Sequence, residues 1–308
     1  MLTSIITYAL IGASPLQTAL KPKLDSVAKT FRGRLGYHLI DLTTGESIGY
    51  RDSERYPSAS TIKTVLLVEA FNQIEEGRLK WDEKLTVPPI GKRNESMWAA
   101  HMIEGTQINI DGLCQLMMNV SDNTATVMLA ERLGVENIEK RLLGWGFHDT
   151  ACTIRPPASN QRLSRLYTSF KNMGVTSPLE MAQILKKIYD GKAASPAACR
   201  KITRIMESQY WDDFIDFTVP NDISVAAKVG ALERSRSDTA IVFGPHPYIL
   251  TVYTDNAADR SWGFHNEGHD AIRKIGSIVW NALNPGRPFH PSPEDERWAP
   301  TGGGVEDS

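Results

Sequence analysis

Ser58-Ala59-Ser60-Thr61-Ile62-Lys63-Thr64-Val65-Leu66-Leu67-Val68 follows Pro57 and opens the segment on which the reading of this chain turns. Proline and small polar residues lead into an apolar run with Leu66, Leu67 and Phe71 at helical spacing, which puts Ser60 at or just inside a helix N-terminus. Residues three apart share one helix face, so the spacing sets the Lys63 amine beside the Ser60 hydroxyl. A serine hydroxyl is a poor nucleophile until a neighbouring base takes its proton. A partly buried lysine of lowered pKa can be that base. The helix N-terminus adds backbone N–H groups for a developing oxyanion. By itself Ser-x-x-Lys is a weak signal, because a capping serine and a solvated lysine satisfy it equally.

Two further stretches follow in order. Met118-Asn119-Val120-Ser121-Asp122-Asn123-Thr124-Ala125 contains Ser-Asp-Asn between two helical patterns, and Val225-Ala226-Ala227-Lys228-Val229-Gly230-Ala231 reads as a strand ending in Lys-x-Gly. Together the three resemble the Ser-x-x-Lys, Ser-Asp-Asn and Lys-Thr-Gly set of class A β-lactamases and penicillin-binding proteins. Flanking text resembles the family too. Thr43-Thr44-Gly45 follows the first strand, Gly105-Thr106 precedes the Ser-Asp-Asn helix, Thr176-Ser177-Pro178-Leu179-Glu180-Met181-Ala182 opens a later helix, and Asp238-Thr239-Ala240-Ile241-Val242 starts the strand after Lys228. The resemblance covers residues 16–284. It implies an α+β fold: an antiparallel-sheet lobe flanked by terminal helices, with an inserted all-α lobe.

The periodicities divide the chain the same way. Leu20, Leu24, Val27 and Phe31 stripe an amphipathic helix over 16–31. Tyr37–Leu42 and Ser47–Tyr50 flank a Thr-Thr-Gly-Glu turn as a hairpin. Helical periods then run from 60 to about 209, at 60 onward, 110–120, 123–133, 135–143, 178–189 and 197–209. Strand texture returns at 223–230, 239–243 and 248–254, before a helix over 269–283. The expected division is an α/β lobe from 16–56 and 210–284 and an all-α lobe over 57–209, with the site in the cleft between them. Residues 1–15 read as a signal-like or disordered extension, and 285–308, rich in Pro, Gly and acid, as a disordered tail.

With 308 residues, 41% apolar and 23% charged, the chain has ordinary soluble composition and length for one large domain or two lobes. Its net charge of −2 gives no reason to expect nucleic acid or an anionic membrane as partner. No apolar run reaches the roughly 20 residues of a membrane span. No zinc-type spacing is visible, and neither metal nor cofactor is expected. A monomer acting on a small molecule is expected. The first basic residue is Lys21, so residues 1–15 make a poor secretory signal. The compartment stays open, with the resemblance leaning to periplasm or secretion. Some relatives carry a disulfide at positions held here by Cys114 and Leu67, so that bridge cannot form and Cys114 reads as a small core residue. A Cys152–Cys199 bridge is possible but has no support in the sequence.

Carried over residue by residue, the resemblance makes Ser60 the acyl-forming nucleophile and Lys63 its base or proton relay. Ser121 bridges Lys63 and Lys228, or is only a helix cap. Asn123 holds a substrate amide carbonyl and fixes Lys63, while Asp122 ties down its loop. Lys228 meets a substrate carboxylate, or is an outward, solvated lysine, with Val229 and Gly230 lining that strand. The N–H groups of Ser60 and Ala231 form the oxyanion hole. Trp98 is a cleft wall or ordinary packing. Two departures stand out. Val229 replaces the family's usual Thr or Ser and so lacks a hydroxyl for the carboxylate; Arg236 or Arg234 could substitute with a guanidinium, or be solvated turn residues. The Glu-x-x-Leu-Asn motif of efficient class A enzymes is missing: residues 150–179 hold no acid, and Glu180 fits a first-turn position instead.

The expected function is therefore a β-lactamase-like serine hydrolase, slow on β-lactams. The alternatives are an esterase, amidase or D-amino-acid peptidase of the same fold, or a binder of β-lactams or peptidoglycan fragments that is acylated without turnover. A non-catalytic scaffold is disfavoured by the retention of Ser60, Lys63, Ser121 and Lys228.

Overall fold

The structure is a computed structural model that describes residues 14–89, 98–292 and 294–295. Strands β1 (Arg34–Asp41), β2 (Ser47–Tyr50), β8 (Val225–Leu232), β9 (Ser235–Val242) and β10 (Tyr248–Asp255) form one sheet in the order β2-β1-β10-β9-β8, antiparallel throughout. Short strands β3 (Tyr56–Pro57), β4 (Lys84–Thr86), β5 (Gln107–Asn109), β6 (Ala151–Cys152) and β7 (Gly174–Thr176) make two small accessory sheets. The helices are α1 (Lys21–Thr30), α2 (Lys63–Glu75), α3 (Ile110–Asn119), α4 (Asn123–Leu133), α5 (Val135–Gly144), α6 (Gln161–Phe170), α7 (Pro178–Tyr189), α8 (Pro196–Met206) and α9 (Glu267–Leu283).

Strand alternation sorts the side chains into two cores. On one sheet face Tyr37, Leu39, Ala227, Ala240, Val242, Leu250 and Val252 pack with Leu24 and Val27 of α1 and Ile272, Ile275, Val279 and Trp280 of α9. On the other, Ile40, Ala226, Ile241, Ile249 and Tyr253 join a larger core built mainly from α2, α3, α4, α7 and α8. Side-chain caps punctuate the helices: Asn109 accepts from Gly112 N, Asp122 from Ala125 N, Ser177 from Glu180 N and Ser195 from Ala198 N. Pro178 and Pro196 start α7 and α8, where a missing N–H costs nothing. Class A architecture, with terminal helices on one face of an antiparallel sheet and helices on the other, is what the chain adopts.

Several local expectations shift. The N-terminal helix begins as a π-turn over Leu16–Leu20, because Pro22 has no N–H to close a regular bond to Thr18. Ser60 lies in a 3-10 turn, Ala59–Ile62, that precedes α2. Helix α6 and the five short strands have no counterpart in the sequence reading. In the segment read as a disordered tail, Trp280 Nε1 donates to Arg287 O at 2.8 Å, Phe289 N to Asn281 Oδ1 at 2.9 Å, and Phe289 packs against the second core. Residues 1–13 and 296–308 of the two predicted terminal extensions lie outside the described residues. All three cysteines are buried free thiols, so Cys152 and Cys199 are not paired. Among the described residues no helix is long and apolar enough to cross a membrane.

Candidate active site

The turn carrying Ser60 is forced into shape by its neighbours. Ala59 has φ +46°, in the left-handed region that a residue with a Cβ occupies at a cost of about 1–3 kcal/mol. Gly230 lets β8 pass close by: a Cβ there would fall 2.9 Å from Ala59 Cβ and 3.0 Å from Ser58 O. Ser60 is partly exposed on this turn while Thr61, Ile62 and Lys63 after it are buried.

Lys63, wholly buried, reaches the Ser-Asp-Asn turn. Its ammonium donates to Ser121 O at 2.7 Å, Ser121 Oγ at 3.0 Å and Asn123 Oδ1 at 2.8 Å. Ser121 offers both oxygens to one donor because its φ is +59°, a second left-handed non-glycine at the site. Asp122 holds that turn in place: Oδ1 caps α4 at Ala125 N, 2.8 Å, and Oδ2 accepts from Ala99 N at 2.8 Å and Trp98 N at 3.2 Å. Three acceptors suit the three protons of an ammonium. Against them, burial first and the charge of Lys228 second hold Lys63 well below an ordinary lysine pKa, with Asp122 opposing. A group so balanced can lose and regain a proton. Among the described residues, the Ser60 hydroxyl is not one of its hydrogen-bond partners.

Lys228 is also wholly buried, and burial lowers its pKa to about 7, with Asp238 pulling the other way. Its Nζ donates to Gln209 Oε1 and to Val229 O, each at 3.2 Å. It makes no hydrogen bond to Ser121, so the expected bridge by Ser121 exists on the Lys63 side alone. Gln209 was not singled out from the sequence; it sits in a turn after α8 with no motif around it. Asp238, quoted in the sequence only as flanking text, accepts from Ile215 N at 3.0 Å, and burial raises its carboxyl to about 6.

The sheet register decides the other expectations. Lys228 lies opposite Thr239 and Gly230 opposite Ser237, all facing the helical core, whereas Val229–Asp238 and Ala231–Arg236 face α9. Arg236 therefore points away from Lys228. Its Nε donates to His269 Nε2 at 2.9 Å, Nη1 to Ser235 O at 2.9 Å and to Leu232 O, and Nη2 to Ser261 O at 2.5 Å, with Trp262 stacked on the guanidinium. The expected role as a substrate anchor is corrected: the guanidinium is consumed within the fold. Arg234 likewise donates to Ala257 O and Asn256 O. Ser237 Oγ, on the cleft face, donates to Gly230 O at 3.2 Å. Trp98 is 54% exposed. Acids bordering residues 150–179 are engaged elsewhere. Glu180 accepts from His148 N and Asp149 N, Asp149 pairs with Arg55 at 2.8 Å, and Glu139 with Arg162 at 2.7 Å. Among the described residues no group of three or more His, Cys, Asp or Glu is placed to hold a metal ion.

A two-core α+β scaffold with a Ser-x-x-Lys turn, a Ser-Asp-Asn turn on its lysine, and a Lys-x-Gly edge strand defines a class A β-lactamase-like hydrolase. The family model described as the β-lactamase enzyme family matches residues 19–283, and the chain belongs to that family. It is 24% identical over 286 residues to β-lactamase PSE-4 of Pseudomonas aeruginosa, covering 90% of this chain and 94% of that one. It is 26% identical over 288 residues to β-lactamase L2 of Stenotrophomonas maltophilia, covering 86% and 89%. Among solved structures, an ancestral class A β-lactamase superposes with TM-score 0.74 at 25% identity, covering 85% of this chain and 99% of that one. A point mutant of PBP-A, in acyl-enzyme complex with penicillin G, gives TM-score 0.75 at 24% identity over 87% and 97%.

Proposed function

We propose that this protein is a serine hydrolase that forms an acyl-enzyme on Ser60 and releases it slowly when the substrate is a β-lactam. The observation that carries the reading is the buried Lys63 amine gripped by Ser121 Oγ and Asn123 Oδ1 at the foot of the Ser60 turn. Ser60 Oγ attacks the acyl carbonyl and gives its proton to Lys63 in the amine form, which burial and Lys228 favour. The carbonyl oxygen becomes an oxyanion at the N–H groups of Ser60 and Ala231; losing one such donor typically costs roughly 10²–10³ in rate. Ser121 Oγ, bonded to Lys63, passes the proton to the leaving nitrogen or oxygen. Lys228 meets the substrate carboxylate, and Asn123 a side-chain amide carbonyl. The same chemistry serves an ester, an amide or a D-amino-acid peptide.

A second reading, a β-lactam or peptidoglycan-fragment binder acylated without turnover, is favoured by the lack of any carboxylate over 150–179 to activate water. Intact-mass spectrometry after mixing with penicillins, cephalosporins and short acyl esters tests both. A transient adduct on Ser60 supports the hydrolase, a persistent one the binder. Neither adduct nor hydrolysis with any of them points to an unrelated substrate, and hydrolysis that survives in Ser60→Ala refutes the acyl-enzyme reading.

A further inference from the structure

Gln209 Oε1 is shared by two donors, Lys228 Nζ at 3.2 Å and the Val229 N–H at 2.8 Å, while Gln209 Nε2 donates to Trp211 O at 2.9 Å. Both ends of the amide are thus fixed, the oxygen facing two donors and the nitrogen a carbonyl. β8 is the outer strand of its sheet, and in an antiparallel strand N–H groups turn alternately to either side. Since the Val229 N–H leaves the sheet toward Gln209, that of Ala231 leaves on the same open edge, two residues or about 7 Å away. Gln209 therefore closes one end of the edge on which a substrate would lie.

The hydrogen count shows what this end offers. An ammonium has three protons and a primary amide two. Val229 O and Gln209 Oε1 take two from Lys228, and Trp211 O takes one from Gln209. One N–H of each adjacent group is left over, a paired donor set for a single anionic oxygen or carboxylate. The Val229 side chain faces α9, and the guanidinium groups of Arg236 and Arg234 are held by carbonyls and His269 elsewhere.

We propose that Gln209 is a specificity-determining residue of the Lys228 subsite, donating through Nε2 a hydrogen bond to a substrate carboxylate held beside Lys228. The proposal rests on the acyl-enzyme reading above. It is tested by the second-order rate of acylation, followed by intact mass, with a penicillin bearing its free carboxylate and with the methyl ester of the same penicillin. Gln209→Met keeps the volume and removes the donor. A hydrogen bond to a charged group contributes about 1.5–3 kcal/mol, or roughly 10–100-fold. Gln209→Met is expected to slow the free acid by that factor and the ester less than about twofold. Gln209→Glu, which sets a carboxylate against the substrate's own, should slow the acid further. Equal loss on acid and ester, or no loss on either in a folded variant, overturns the role of Gln209 alone. Failure of both probes to label or to be hydrolysed by the unsubstituted protein overturns the acyl-enzyme reading for β-lactams and this proposal with it.

Discussion

Two buried lysines lie close enough to repel one another and are held in opposite ways. Lys63 has three acceptors within 3.0 Å, drawn from one turn that Asp122 braces on both sides. Lys228 has two at 3.2 Å, one a strand carbonyl and the other a single glutamine from a neighbouring turn. Burial is complete for both, so the difference lies in partners rather than solvent. A fully bonded lysine is positioned for proton transfer with a fixed neighbour. One with an unused N–H is positioned to receive something from outside. The asymmetry is what the proposed function expects of a nucleophile-side Lys63 and a substrate-side Lys228.

The comparison breaks most directly at Ser60. Ser60→Ala is expected to abolish covalent labelling by penicillin or fluorophosphonate probes and to lower turnover by about 10⁴-fold or more, with little change in folding. Labelling that survives places the nucleophile elsewhere. Lys63→Arg keeps the charge but supplies no base, and should slow acylation by roughly 10²–10⁴-fold. Near-normal acylation in that variant would remove Lys63 from the proton path and with it the contrast between the two lysines.

Titration separates the lysines further. Each is charged below its pKa, and Lys228 titrates at about 7. On the proposed reading, anchoring of a carboxylate by Lys228 is therefore present below about pH 7 and lost as pH rises through it. Proton acceptance by Lys63 has the reverse sense, gained as pH rises through its depressed value. Acylation by a free-acid penicillin should thus fall several-fold between about pH 6 and 8, while its neutral ester shows no such decline. Parallel profiles for acid and ester would deny Lys228 the substrate side.

Breakdown of the acyl-enzyme probes the one part of the cleft that neither lysine supplies. With Glu180, Asp149 and Glu139 tied to backbone N–H groups or arginines, a chromogenic cephalosporin should give a burst equal to the enzyme concentration and then slow turnover. A linear, fast time course without adduct would mean that water is activated by Lys63 or by a carboxylate outside 150–179.

What the sequence made legible follows from how local each signal is. Ser-x-x-Lys, Ser-Asp-Asn and Lys-x-Gly are each written within a few residues, and the helices at 123–133 and 178–189 carry a cap and a stripe in the text itself. Helix α6, ten residues capped by Asn160 with Leu163 and Leu166 on its buried face, is as readable as α1 yet absent from the sequence reading, whereas β3, β6 and β7 are two or three residues long, below what alternation can reveal. Gln209 matters only because folding brings the turn after α8 against β8. The error over Arg236 is a matter of parity: on a strand one residue of register exchanges cleft for core, and the cleft-facing position is Ser237.

That parity yields the last prediction, whose effect falls on stability. Arg236 is 1% exposed and serves His269 Nε2 and the carbonyls of Leu232, Ser235 and Ser261. Burial, and then the charges of Arg236 and Arg273, push the His269 pKa down to about 3, so the imidazole is neutral and its Nε2 is free to accept. Removing the guanidinium strands several buried acceptors at once, each worth about 1–3 kcal/mol, partly recovered as water enters. Arg236→Ala should lose about 3 kcal/mol in denaturant unfolding. Arg236→Lys should lose nearly as much, because one ammonium cannot span the fork. At a temperature where both variants remain folded, the acid-to-ester ratio of acylation rates should match that of the unsubstituted protein. A selective loss on the free acid would return Arg236 to the substrate side and make its contacts with α9 incidental.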